Sequence, residues 1–472
     1  MYALVDVTAA VPPAVAVTRD HEALQCREYR SCTTWRPNVP PDAWSSSTTE
    51  LIVTASAAHP MVTGLLALQA DPLHPAANAG VVTPRVKAMA AAITAMAVTG
   101  RRRRVPDMEA HFRSTSSCKN FDRTPRPGHP PLPHPCDSVV MKPVRWGVLS
   151  TSSFAENTFI PGLRKSPLID VCAVASRDFG RSQAFAERNH IATAYGSYEE
   201  LLADPSIDVI YNPLPNDMHV EWTRQAAEAG KHVLCEKPMG MRASELEVLL
   251  PLSEKVHLAE GFMVRFHPQW TQTRELIRSG ALGRVTHMHV AFSYHNDDPA
   301  NIRNVADNGG GALYDIGCYA VVAARWFMDA DPVRVAAVAD TDPAFGTDRL
   351  TSALLDFGDG RVCAFSVSTQ SVYHQRVHVF GTTGRLEITI PFNQPQNAPT
   401  VYLVHHGQST DGLDAEQHHL PTDDQYTLQG EAFSRRVRTE SPSSAALLDA
   451  MQNMRIIDAI FRAAGSGRFE LV

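Results

Sequence analysis

The chain of 472 residues is 44% hydrophobic and 20% charged, enough apolar material for two or three domains with separate cores. A formal net charge of -7 removes the overall basic field that nucleic acid or an anionic membrane surface would select, and no apolar run reaches the roughly 18 residues that span a bilayer. The 8 cysteines are scattered without a C-x-x-C pair, which argues against a zinc site or disulfide framework and fits a reducing, cytoplasmic setting, and the first residues lack the basic-then-apolar layout of a secretory signal.

Residues 1–140 are rich in Ala, Pro, Ser and Thr, and "RPGHPPLPHP" (126–135) lacks the amide donors that regular structure needs. This part reads as a disordered, low-complexity extension. Its one apolar segment, "VKAMAAAITAMAVTG" (86–100), precedes the run Arg101 to Arg104, which reads as solvated charge before it reads as a targeting helix or a nucleic-acid patch. Met141 stands directly before the first strand-like run and is the expected natural start of translation.

Over 141–265, short apolar runs alternate with amphipathic stretches of helical length, which predicts repeated β-α-β units around a doubly wound parallel sheet. The runs are "VRWGVLS" (144–150), "DVCAVAS" (170–176), "DVIYNPL" (208–214), "HVLCEKP" (232–238) and "HLAEGFM" (257–263). The stretch "DMHVEWTRQAAEAGK" (217–231) predicts a helix stopped at Gly230, and "RASELEVLLPLSEK" (242–255) predicts another.

The first run leads into a loop where a dinucleotide-binding protein places G-x-G-x-x-G, so that backbone amides at a helix N-terminus meet the pyrophosphate. Ser150, Ser152 and Ala155 hold the glycine positions here. Serine is small and offers a hydroxyl, at a steric cost wherever the turn needs positive φ. The alternative is an ordinary turn capped by Ser152 or Ser153. The second run ends in Ser176 and Arg177 in place of a ribose-binding acid, and a guanidinium beside a hydroxyl suits a 2′-phosphate, so NADP is favoured over NAD. Otherwise Arg177 is solvated and Asp178 caps the next helix.

The loop "NPLPNDMH" (212–219) falls at the carboxyl end of the sheet, where Asn216 and His219 are candidates to face the ribose or nicotinamide. His219 could equally bond within its own helix. Glu236 and Lys237 come at the tip of the next strand, with Pro238 restraining the backbone before it. An ammonium there can stabilise the charge that builds on an oxygen during hydride transfer; an isolated Glu-Lys pair is otherwise a surface feature.

Over 266–472 the pattern changes to longer alternating strands joined by tight turns, as in 284–295, 349–369 and 375–390, predicting a broad, mostly antiparallel sheet in an α+β domain. Asp297, Asp298, Asn301 and Arg303 in "YHNDDPANIRN" (294–304) either bind hydroxyls or form a polar loop. "DNGGGALYDIGCYAVVAARWF" (307–327) has a glycine-rich entry that lets a ligand approach the backbone, then Asp315 and Tyr319 four residues apart on one helical face. With Lys237 these make a proton-relay set.

Through "EKP" (236–238) and "GGGALYDIGCY" (309–319), supported by "RFHPQ" (265–269), "FGTTGRLEI" (380–388) and "LQGEAF" (428–433), the chain resembles the Gfo/Idh/MocA family over residues 141–472. Within it the resemblance is to the branch with NADP-dependent xylose dehydrogenases and dimeric dihydrodiol dehydrogenases. The resemblance implies a Rossmann domain, a second domain with an open sheet that pairs copies into a homodimer or higher oligomer, and hydride transfer between a sugar or cyclic polyol hydroxyl and NADP, with NAD as second choice. It implies Lys237, Asp315 and Tyr319 as catalytic residues, with Tyr319 as the acid/base whose pKa Lys237 helps to lower. Cofactor contacts are then expected from Ser150, Ser152, Ser153, Phe154, Ser176, Arg177, Leu214, Asn216, His219, Glu236, Lys237 and Arg265. Substrate contacts are expected from Lys237, His267, Asp315 and Tyr319. The serine-rich pyrophosphate loop departs from the family's glycines. A non-catalytic NADP-binding sensor of the same fold is the rival reading.

Overall fold

A computed structural model describes residues 142–472, apart from 408 and 410. The expectations for the extension, including the arginine run and a start at Met141, lie outside the described residues.

The first sheet is built from β1 (Val144–Leu149), β2 (Ile169–Ala175), β3 (Thr193–Tyr195), β4 (Val209–Asn212), β5 (His232–Cys235) and β6 (Leu258–Glu260). Its order is β3-β2-β1-β4-β5-β6 and every pairing is parallel. Both faces of such a sheet are covered, so β1 is almost continuously apolar and buried. Gly147 is needed at its centre, because a Cβ there would come within 3.0 Å of the Leu201 side chain. All of these strands except β3 fall in the apolar runs of the sequence; Thr193–Tyr195 is short and only half-buried, so it carries no such signal. Helix α1 (Phe179–Arg188) follows β2 and is capped by Asp178, whose carboxylate accepts from the Arg181 amide at 3.0 Å. Helix α2 (His219–Glu228) follows β4. The order reverses between β1 and β4, which opens a crevice above the strands' carboxyl ends.

The second sheet has nine strands: β7 (Val285–His295), β8 (Arg334–Thr341), β9 (Asp348–Asp356), β10 (Val362–Ser368), β11 (Gln370–Gly381), β12 (Arg385–Ile388), β13 (Thr400–His405), β14 (Glu416–Leu420) and β15 (Glu470–Leu471). Their order is β14-β13-β12-β11-β7-β10-β9-β8-β15. The β9-β10 and β11-β12 hairpins are antiparallel, as their turns predict. The exception is β7, which pairs parallel with β10. One face, with Val290, Phe292, Val335, Leu355, Phe365 and Val377, is buried under α4 (Cys318–Met328) and α6 (Ala445–Ser466). The opposite face leaves Val338, Leu350 and Leu354 exposed. Helix α3 (Pro268–Arg278) links the two sheets. Helix α5 (Gln425–Thr439) packs back on the first sheet, where fully buried Trp146 stacks edge-on against Phe433 and donates to Ser434 Oγ at 3.1 Å.

Candidate active site

The crevice is a cleft of about 490 Å³ walled by both sheets. On the β1 side, Ser150 adopts φ +74°, the left-handed conformation that a glycine-rich motif would supply at that place, so the serine bears the steric cost anticipated for it. Ser152 then caps the following turn through Oγ, which accepts from the Ala155 amide at 3.1 Å. The amides of Ser152, Ser153 and Phe154 have no protein acceptor among the described residues. They are free to meet an anion, so this loop suits a dinucleotide pyrophosphate while also being a capped turn. Ser176 is buried, its hydroxyl accepting from the Asp178 amide at 3.3 Å, and Arg177 is exposed just beyond the end of β2.

Lys237 reaches the cleft from the tip of β5, in the turn that contains the cis peptide bond to Pro238. Its ammonium donates to Asp315 O at 2.6 Å and to Asp315 Oδ1 at 3.2 Å, with both side chains nearly buried, 13% and 14% exposed. Asp315 lies in a π-helical stretch, Leu313–Gly317, that feeds into α4, and its Oδ2 accepts from Tyr294 at 2.6 Å and pairs with Arg303 Nε at 3.1 Å. Burial alone would raise the Asp315 pKa, but Lys237 and Arg303 hold the carboxylate well below its ordinary range. Burial is the largest single influence on Lys237 and opposes its charge, but Asp315, Cys318 and Glu236 together outweigh it and keep the ammonium protonated. Glu236 stands beside them with its pKa raised by burial; its Oε1 accepts from Tyr211 at 2.8 Å.

Tyr319 lines the same cleft from the first turn of α4. Here the expectation about its activation needs correction. The Lys237 ammonium lies over the phenol ring, 5.0 Å from its centre, and makes no hydrogen bond with the hydroxyl. Burial, reinforced by Tyr426 and Glu236, pushes the Tyr319 pKa well above 10. The hydroxyl holds its proton, and its one hydrogen bond to protein among the described residues is a weak one to Met263 Sδ at 3.6 Å.

Leu214 and Asn216 also line the cleft. His219 borders it but is buried, with both ring nitrogens 2.7 Å from carbonyl oxygens, Nδ1 from Pro238 and Nε2 from Leu214. Burial holds its pKa down to about 4, so the neutral ring donates to one of the two and ties the "NPLPN" loop to the turn after Lys237. Two candidates are placed elsewhere. Arg265 follows a 3-10 turn toward α6 and pairs with Asp449, and His267 is fully buried as the cap of α3, accepting from the Gln269 amide at 3.1 Å. Neither lines the cleft, and nor do Ser150, Ser176 and Arg177 at the ends of β1 and β2. Those that do without having been assigned include Tyr294, Asn393 and Tyr426, none of which sits in a motif with a chemical signature.

The family description "Oxidoreductase family, NAD-binding Rossmann fold" matches residues 144–264, and "GFO/IDH/MocA C-terminal domain" matches 270–387. An uncharacterized oxidoreductase of Rhizobium meliloti is 41% identical over 331 residues, 70% of this chain and 99% of that one. The chain belongs to the Gfo/Idh/MocA family of oxidoreductases. A further relative, D-xylose 1-dehydrogenase (NADP(+)) 2 of Haloferax volcanii, is 38% identical over 68% of this chain and 98% of its own. Among solved structures, a 3-ketoreductase from Actinomadura kijaniata in complex with NADP and TDP-benzene is 31% identical with a TM-score of 0.64, covering 68% of this chain and 98% of that one.

Proposed function

We propose that this oxidoreductase passes a hydride between a carbon bearing a sugar or cyclic-polyol hydroxyl and NADP. The observation that carries the reading is convergence: an ammonium from β5, a carboxylate from the π-helical turn and a phenol from α4 share one cleft beside the free amides of the β1 loop. The names of similar proteins, an NADP-dependent xylose dehydrogenase and an NADP-bound ketoreductase, support the cofactor and the substrate class. Ser152, Ser153 and Phe154 would hold the pyrophosphate, and Arg177, exposed beyond β2, the 2′-phosphate. The nicotinamide supplies or accepts the hydride.

Lys237 meets the reacting oxygen with its remaining N–H and stabilises the alkoxide charge. Asp315 anchors that ammonium. Tyr319, protonated at neutral pH, is suited to give its proton to the alkoxide as a carbonyl is reduced and to receive it in the reverse direction. Copies of the chain would pair through the outer face of the second sheet, where Val338, Leu350 and Leu354 are exposed. A cytoplasmic site of action fits Cys172, Cys235, Cys318 and Cys363 being free thiols, and cell fractionation would check it.

Initial rates with a panel of aldoses, inositols and diols, each with NADP⁺ and NAD⁺, test the proposal by the absorbance of the reduced cofactor. Turnover of at least one hydroxyl substrate, faster with NADP⁺, is expected. Cofactor binding with no turnover across the panel would favour the sensor reading instead.

A further inference from the structure

We propose that Arg303 binds the oxygen on the carbon next to the reacting one, so that the site selects vicinal diols and, in the reverse direction, α-hydroxy carbonyl compounds. The inference rests on the hydride-transfer reading above and narrows its substrate class.

The starting point is how one carboxylate is shared. Asp315 offers Oδ1 to the Lys237 ammonium at 3.2 Å and Oδ2 to Arg303 Nε at 3.1 Å. The two cations therefore stand side by side on the two oxygens of a single group. Lys237 directs two of its three N–H bonds at Asp315, leaving one for a ligand. Arg303 approaches Asp315 most closely through Nε, and its two terminal amino groups make no hydrogen bond with protein among the described residues. The side chain lines the cleft and is 41% exposed.

Charge balance places the guanidinium, with Lys237 and Arg303 set against Asp315 and Glu236, but it leaves the two terminal amino groups without a hydrogen-bond acceptor among the described residues. Nor is Arg303 a loose surface residue. Its carbonyl accepts from the Gly311 amide at 2.9 Å, its own amide donates to Asn301 Oδ1 at 3.1 Å, and a Cβ on Gly310 would lie 2.5 Å from its carbonyl oxygen. The glycine triplet thus serves to clamp the backbone of Arg303. What results is two fixed sets of N–H donors, ammonium and guanidinium, facing one space. Neighbouring carbons that each carry an oxygen present the matching pair of acceptors.

The test compares two pairs of substrates across three enzymes. D-glucose and 2-deoxy-D-glucose, and trans-cyclohexane-1,2-diol and cyclohexanol, are compared by kcat/KM with NADP⁺ in the wild-type enzyme, in Arg303→Met and in Arg303→Lys. The wild type is expected to prefer the diol of each pair by about tenfold or more, since a donor left facing an absent oxygen is unpaired. Arg303→Met should bring each pair within about threefold, and Arg303→Lys should keep part of the preference; binding of NADPH, followed by fluorescence, shows that each variant is folded. An arginine with only a structural role would lower both members of a pair alike. Equal rates in the wild type, or a preference that survives in Arg303→Met, overturns this assignment and leaves the hydride-transfer reading standing. No turnover of any of the four compounds, or of any other hydroxyl compound, would overturn both.

Discussion

At the residue scale, the site turns on which groups hold their protons. Tyr319 is buried with a pKa well above 10, and Lys237 lies over its ring without a hydrogen bond to its oxygen. Tyr319→Phe should lower kcat by about 10²-fold, the usual cost of losing a general acid, while the dissociation constant for NADPH, read by fluorescence quenching, stays within twofold. Unaltered turnover would remove Tyr319 from the mechanism. Lys237, Asp315 and Tyr319 were legible in the sequence because each sits in a short motif whose neighbours fix its position. Arg265 and His267 were not, because a 3-10 turn rotates one toward Asp449 and a helix start consumes the other. Tyr426 and Asn393 could not be read at all. They reach the cleft only once α5 and the loop beyond β12 have packed against the first sheet, and nothing local announces that.

At the scale of elements, a buried carboxyl couples the catalytic turn to a helix. Glu260, at the end of β6, accepts from the Met239 amide at 2.9 Å and from Asn453 of α6 at 3.1 Å. Burial raises its pKa to about 7. The folded state therefore binds this proton more tightly than the unfolded chain does, and the resulting stability is present in full below about pH 4.5 and lost as pH rises through 7. The shift corresponds to roughly 3–4 kcal/mol. Glu260→Gln should raise the Tm relative to wild type at pH 8 and lose that advantage at pH 4.5; calorimetry at the two values checks it. An acidic limb opposes this one. His232 Nδ1 accepts from the His257 amide at 2.9 Å and burial lowers its pKa to about 4, so its contribution is lost as pH falls from 6.5 toward 4.

At the scale of the whole molecule, the two-sheet layout followed from periodicity, since runs buried on both faces and strands joined by Gly turns have different textures. Strand order did not follow. The parallel pairing of β7 with β10 joins segments separated by α4 and two further strands, and that choice is made by the helices that cover the sheet. The uncovered face is where association is expected. Val338→Asp, at a position 70% exposed, should leave the Tm within about 2 °C and shift the mass by light scattering from an oligomer to a monomer at micromolar concentration. A wild-type chain that is monomeric at that concentration would refute pairing through this face.

The double anchoring of the Lys237 ammonium on Asp315 bears also on handedness. An incoming oxygen can approach along only one bond direction, and a neighbouring oxygen held by Arg303 stops rotation about that axis, so the carbon turns one prochiral side toward the nicotinamide. Reduction of an α-hydroxy ketone by this enzyme would accordingly give a single configuration at the new alcohol.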